Sequence, residues 1–146
     1  MSEENYTKNF VKRFLAVIKE VVQGKSTGYD CDYISWGACH QWMGSNVPDY
    51  EMEYVENNGS YIFKAGNGGL VKTRVKADCR WFSAVLSITG SGGTKGLPFD
   101  KIESHDVQNC LQRCLAKNIS LHGYGLKLWF SKDEYYEAYK QLKNES

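Results

Sequence analysis

An excess of charge of either sign is missing from this sequence. Its 18 Lys and Arg stand against 17 Asp and Glu, a formal net charge of +1. A balance this close gives no global signal for a polyanionic partner. Any such site has to come from local clustering of cations, with acid elsewhere to offset it. No apolar run approaches the roughly 18 residues of a membrane span, so a spanning helix is not expected. The first residues are polar and acidic, and no secretory leader is expected. The cysteines number five, an odd count, and lack the spacing of a disulfide framework. Reduced thiols in a cytosol-like compartment fit that pattern. No segment repeats at solenoid length.

What is present is enough for a packed domain. The chain has 146 residues, 42% hydrophobic and 14% aromatic. That supports one domain over residues 1–146, with 1–6 and 144–146 as loose tails, and argues against disorder. Residues 7–23 read as an amphipathic helix with Phe10, Phe14, Val17, Ile18 and Val21 on one face. Gly24 to Asp32 reads as a connector, and residues 35–44 as a short helix capped by Ser35 and stopped by Gly44. Strands are expected at Tyr50–Val55, Tyr61–Lys64, Leu70–Ala77 and Trp81–Ile88. Asn57-Asn58-Gly59, Gly66–Gly69 and Asp78 supply the turns. Gly90–Gly96 reads as a loop, Leu126–Phe130 as a strand, and 132–143 as a last helix with Ser131 and Glu134 as a capping box. Antiparallel hairpins packed with a long buried helix give an α+β class.

That helix begins at Ser104, a favourable N-cap, with Asp106 in its first turn and Gly123 closing it. Val107, Leu111, Cys114, Leu115 and Leu121 recur at helical spacing as an apolar stripe. Arg113 and Lys117, four apart, project together from the other side. They suit a phosphate cradle or, equally simply, a solvated face. A second basic element is the strand Leu70–Lys76. Val71, Thr73 and Val75 point one way, and Lys72, Arg74 and Lys76 the other, with successive cations about 7 Å apart. That spacing lets a strand follow an extended nucleic-acid backbone step by step, although an ordinary solvated sheet face has the same pattern. Lys64 and Lys95 are weaker candidates on neighbouring turns.

The run Leu111-Gln112-Arg113-Cys114-Leu115-Ala116-Lys117, continued by Leu121-His122-Gly123-Tyr124-Gly125-Leu126, resembles the signature of phage-type single-strand DNA annealing proteins. That signature reads roughly QRCLVKAIALHGLGLYIY. The group is the Sak type, remote kin of the eukaryotic annealing protein Rad-fifty-two. Tyr33-Ile34-Ser35-Trp36-Gly37, with Trp42 and Pro48, resembles the family's opening, and Leu97-Pro98-Phe99-Asp100 its central segment. Ser35 stands where the family has proline, and Lys127-Leu128-Trp129-Phe130 replaces its small-aromatic ending. The resemblance implies a protein that binds single-stranded DNA and promotes annealing in ATP-independent homologous recombination. It also implies a ring or filament lined by basic helices and hairpins. Implied partners are single-stranded DNA, further copies of the chain, a phage exonuclease and a host single-strand-binding protein, in a bacterial cytoplasm.

On this reading the DNA-binding residues are Lys72, Arg74, Lys76, Arg113, Lys117 and Tyr124, with no catalytic group, metal or cofactor. Tyr124, between two glycines, either stacks on a base or packs in the core. Trp36, Trp42, Trp81 and Trp129 are read as core residues, and Tyr135, Tyr136 and Tyr139 as a helix-docking stripe. Rival chemistries find less support. Cys110 and Cys114 lie one helical turn apart with His122 downstream, but no second pair at ligand spacing follows. Residues 90–96 lack the Gly-Lys-Ser/Thr order of a phosphate loop. A cysteine nucleophile with His40 or His122 has no local signature. Asp49, Glu51 and Glu53 leave open a small metal-dependent nuclease, and the sheet leaves open a protein-interaction module.

Overall fold

A computed structural model of the chain describes residues 1–16, 22–23, 32–90 and 95–129. The chain divides into two compact units, Met1–Pro48 with Ile119–Ser146, and Asp49–Asn118.

In the first unit, helix α1 spans Glu3–Ala16, so the expected loose tail is helical from its third residue. The cause is a cap the apolar pattern missed. The Ser2 hydroxyl accepts from the Asn5 amide at 3.2 Å, and the Ser2 carbonyl from the Tyr6 amide at 3.0 Å. Glu3 and Glu4 in the first turn and Arg13 in the last suit the helix dipole. Tyr6 and Phe14 are buried, at 7% and 3% exposure. Val17, Ile18 and Val21, expected on the same face, lie outside the described residues. Val22–Gln23 is not the helix end but a short strand, β1, antiparallel to β2 at Asp32–Tyr33.

Helix α2 spans Trp36–Asn46, with the Ser35 hydroxyl accepting from the Ala38 amide as expected of an N-cap. The helix passes through Gly44, the expected stop. Asn46 Nδ2 donates back to the Trp42 carbonyl and Val47 caps onto Met43. Residues Leu126–Trp129 form a 3₁₀ turn, not the expected strand. Its bonds are local: the Leu126 amide donates to the Gly123 carbonyl and Leu128 to Gly125. Gly123, at φ 110°, is sterically required, since a Cβ there would meet the Phe10 carbonyl oxygen at 2.7 Å. Phe130 and the expected last helix lie outside the described residues.

The second unit is a four-stranded antiparallel sheet with a helix on one side. Strands β3 (Glu51–Tyr54), β4 (Phe63–Ala65), β5 (Gly68–Ala77) and β6 (Arg80–Ser87) follow the expected chain order, but β3 and β4, expected as partners across the Asn57–Gly59 turn, both pair with β5 instead. The ten-residue β5 is the centre. It pairs along its length with β6 on one side, and on the other with β4 near its start and β3 near its end. Its hairpin to β6 turns on Asp78 and Cys79, both at positive φ (53° and 67°), the combination a tight two-residue turn requires. The Asp49 carboxylate holds that turn, accepting from the Asp78 amide at 2.9 Å and the Cys79 amide at 2.7 Å.

Helix α3 spans Ser104–Leu121. Its cap is one residue earlier than expected. The Glu103 carbonyl accepts the first helical bond from Val107, and Asp106 Oδ2 accepts from the Glu103 amide at 3.0 Å. The helix is amphipathic rather than buried all round. Cys110, Leu111, Cys114, Leu115 and Ile119 are buried, while Leu121, expected on the same stripe, is 40% exposed. Cys110, Leu111 and Cys114 pack on Val71, Ala84 and Ile88 of the sheet. Truncating a leucine such as Leu111 would cost about 2–5 kcal/mol. Gly69 admits the neighbouring side chains: a Cβ there would meet Ile62 at 2.8 Å and Ile102 at 3.0 Å.

Both helix thiols serve the core. Cys114 Sγ donates to the Ala84 carbonyl, and Cys110 Sγ to Leu86 and Ser87. Burial pushes the Cys110 thiol up to about 11, and burial also raises that of Cys114. Both stay protonated at neutral pH and act as small apolar side chains. Beside them Asn118 Nδ2 ties α3 to β5 and β6 through the Thr73 and Phe82 carbonyls, at 3.0 and 2.9 Å.

Candidate nucleic-acid interface

The alternation read from the sequence holds on β5. Val71, Thr73, Val75 and Ala77 are fully buried toward α3. Lys72, Arg74 and Lys76 are half-buried on the opposite, outer face. Register sets their neighbours. On β6, Val85 lies across from Lys72, Ser83 from Arg74 and Trp81 from Lys76. On β3, Glu53 lies across from Arg74 and Glu51 from Lys76. Charge is therefore graded across this face, acidic on β3, basic on β5 and neutral on β6.

Arg74 is held from two sides. Its guanidinium lies 3.1 Å from Glu53 and 4.4 Å above the Trp81 ring. Lys72 Nζ sits 5.4 Å from the Phe63 ring centroid. Lys76 contributes to the electrostatics of Asp49. Partial burial by itself raises that carboxyl, but the bonds from Cys79 and Asp78 and the Lys76 charge prevail and hold it below its ordinary value.

Arg113 and Lys117 leave α3 toward β6. Arg113 donates to the Thr89 hydroxyl at 3.3 Å and Lys117 Nζ to the Val85 carbonyl at 3.0 Å. Val85 thus links the two groups: its side chain lies on the outer face in register with Lys72, and its carbonyl orients Lys117. The five cations do not share one face. They fall into two sets on either side of β6, all within the unit Asp49–Asn118. Of the weaker candidates, Lys64 is exposed with its ammonium 5.3 Å from the Phe99 ring, and Lys95 is exposed.

Tyr124 belongs to the other unit and is fully buried, its ring 4.3 Å from that of Trp42. It takes the core-packing alternative, and this placement offers a base no surface. Trp81 and Trp36 depart from the core assignment in the other direction, each 40% exposed. For Trp81 the missed signal is the partition of its own strand. Phe82, Ala84, Leu86 and Ile88 form the more apolar set and face inward, which leaves Trp81, Ser83, Val85 and Ser87 outside. Two of the three acidic residues that could suggest a nuclease are engaged otherwise, Asp49 on the turn amides and Glu53 on Arg74.

Among the described residues no helix is long and apolar enough to cross a membrane. Residues 11–145 match the family model described as Sak Single Strand Annealing Protein. No curated protein matches, and no solved structure does.

Proposed function

Because this chain belongs to the Sak family of single-strand annealing proteins, we propose that it holds single-stranded DNA by its sugar-phosphate backbone and promotes pairing of complementary strands without ATP, in homologous recombination. The observation that supports this most is the grouping of Lys72, Arg74, Lys76, Arg113 and Lys117 around one strand, β6, in a protein of nearly zero net charge. Ammonium and guanidinium groups bind phosphates without reading sequence. The bases stay available, and their pairing supplies both specificity and driving free energy. No catalytic group is needed for that step.

One chain offers few contacts. Repetition in a ring or filament would multiply them through effective concentration, so self-assembly is part of the proposal. A phage exonuclease that produces the single strand and a host single-strand-binding protein, in the bacterial cytoplasm, complete it.

The test is a polarisation titration with labelled single strands at rising salt, followed by annealing of complementary oligonucleotides with neither ATP nor metal. Five phosphate contacts predict a log–log salt slope of about −3.5, or roughly a 100-fold loss of affinity between 50 and 200 mM salt. A flat salt response, or annealing that needs ATP, defeats the proposal. Chelator-sensitive cutting of the DNA would favour a nuclease instead.

A further inference from the structure

The backbone-holding role leaves the most conspicuous side chain of the outer face without a task. We infer that Trp81 is a stacking platform for one nucleobase of the bound strand, so that each chain grips the strand by a base as well as by phosphates. This deepens the DNA-binding reading above and rests on it.

Trp81 is placed with unusual firmness for an exposed aromatic. It follows directly on the turn whose Asp78 and Cys79 amides are held by Asp49. Its backbone is in register with Lys76, and the Arg74 guanidinium lies against its ring, itself tied to Glu53. After that contact the residue still keeps 40% of its surface open. An indole whose position is fixed in advance loses little entropy when a flat partner covers it.

The surroundings select the partner. Lys76 and Arg74 lie on the β5 side of the ring, and Ser83 and Val85 continue its own strand on the outer face. Beyond β5 lie Glu51 and Glu53, which disfavour phosphate there. A strand whose phosphates follow the β5 cations is therefore expected to turn its bases toward β6, where the indole is. A purely apolar protein partner would have to desolvate Lys76 and the Arg74–Glu53 pair to reach the same ring, at a cost a nucleotide avoids. A single stacked base per chain leaves its neighbours free to pair.

The experiment compares the full chain on a labelled oligothymidine and on the same oligomer with abasic sites, with Trp81→Ala and Trp81→Phe alongside. Wild type is expected to bind the abasic strand roughly 5- to 150-fold more weakly, the range for loss of one stacked base. Trp81→Ala should lose a similar factor on the intact strand and nothing further on the abasic one, while Trp81→Phe keeps most of the affinity. Intrinsic fluorescence of wild type should be quenched by the strand, and Trp81→Phe should remove most of that quenching. Equal wild-type affinity for the two strands, or unchanged affinity in Trp81→Ala, overturns the inference while leaving backbone binding intact. If Trp81→Ala does not fold, the two-oligomer comparison and the Trp81→Phe fluorescence still decide. No binding of wild type to either strand overturns the DNA-binding reading and this inference with it.

Discussion

On the outer face of β5, Arg74 lies 3.1 Å from a carboxylate and against an aromatic ring, whereas at β6 Arg113 and Lys117 donate to a hydroxyl and a backbone carbonyl. The Thr89 hydroxyl orients Arg113 without cancelling its charge. Arg74 must exchange or share Glu53 before it can meet a phosphate, and such exposed pairs are worth only about 0–1 kcal/mol. Arg74 is thus more firmly positioned and Arg113 electrostatically more available. Rows of cations that look equivalent in sequence differ in what their fold has placed across from them.

The largest effect expected from this comparison is that of Arg113→Glu with Lys117→Glu. Two attractive sites become repulsive, and affinity for single strands at low salt should fall by about 100-fold or more. Circular dichroism should be unchanged, because neither side chain belongs to the apolar cluster of Val71, Ala84, Ile88, Cys110, Leu111 and Cys114. Unchanged affinity would remove these two residues from the site.

Next comes the neutral triple variant Lys72→Gln, Arg74→Gln, Lys76→Gln. Three independent phosphate contacts would lower the salt slope by about 2.1. Because Glu53 already shares Arg74, a smaller change is expected, with affinity down by about tenfold. A full loss of slope would show that the carboxylate does not compete with DNA and would erase the difference between the two sets.

The parts of this site that the sequence makes legible are those governed by short periods and turn chemistry. A strand repeats every second residue, so Val71, Thr73 and Val75 separate cleanly from Lys72, Arg74 and Lys76. Asn58-Gly59 and Asp78 mark turns because few residues accept positive φ, and the structure has Asn58 at 52° and Asp78 at 53°. What stays hidden depends on partners distant in the chain. Nothing local to Arg74 indicates that Glu53, on β3, will lie across from it. The 3₁₀ turn at Leu126–Trp129 is likewise invisible, since a four-residue apolar segment suits a strand as well as a turn. The α1 start is legible in the Ser2 cap, although the apolar face begins later along the helix.

Glu53→Gln gives a smaller and opposite effect. Releasing Arg74 from its carboxylate should raise affinity by about 2- to 5-fold and steepen the salt slope. A drop in affinity would mean that Glu53 serves chiefly to aim Arg74 at its target, and Arg74 and Arg113 would then differ in precision rather than in available charge.

The smallest effect concerns the turn that sets the register of Lys76 against Trp81. Partial burial tends to raise the Asp49 carboxyl, but the two amide bonds and the Lys76 charge outweigh it, so its folded pKa lies below the ordinary 3.8. A group depressed in this way stabilises the fold fully above its unfolded value, and the contribution fades as pH falls through the folded value. Asp49→Asn should therefore lower stability at neutral pH by about 0.5–1 kcal/mol, modest because the carboxylate is partly solvated. The variant and wild type should converge in denaturant midpoint as pH drops below about 3.8, where the native carboxylate takes up its proton. Since the same turn carries Trp81, the variant should also blur the indole emission at neutral pH while leaving the helix cations untouched. A stability gap that persists unchanged into acid would mean that the amide bonds hold the turn without the carboxylate's charge, and that Lys76 and Trp81 owe their register to the strand pairing alone.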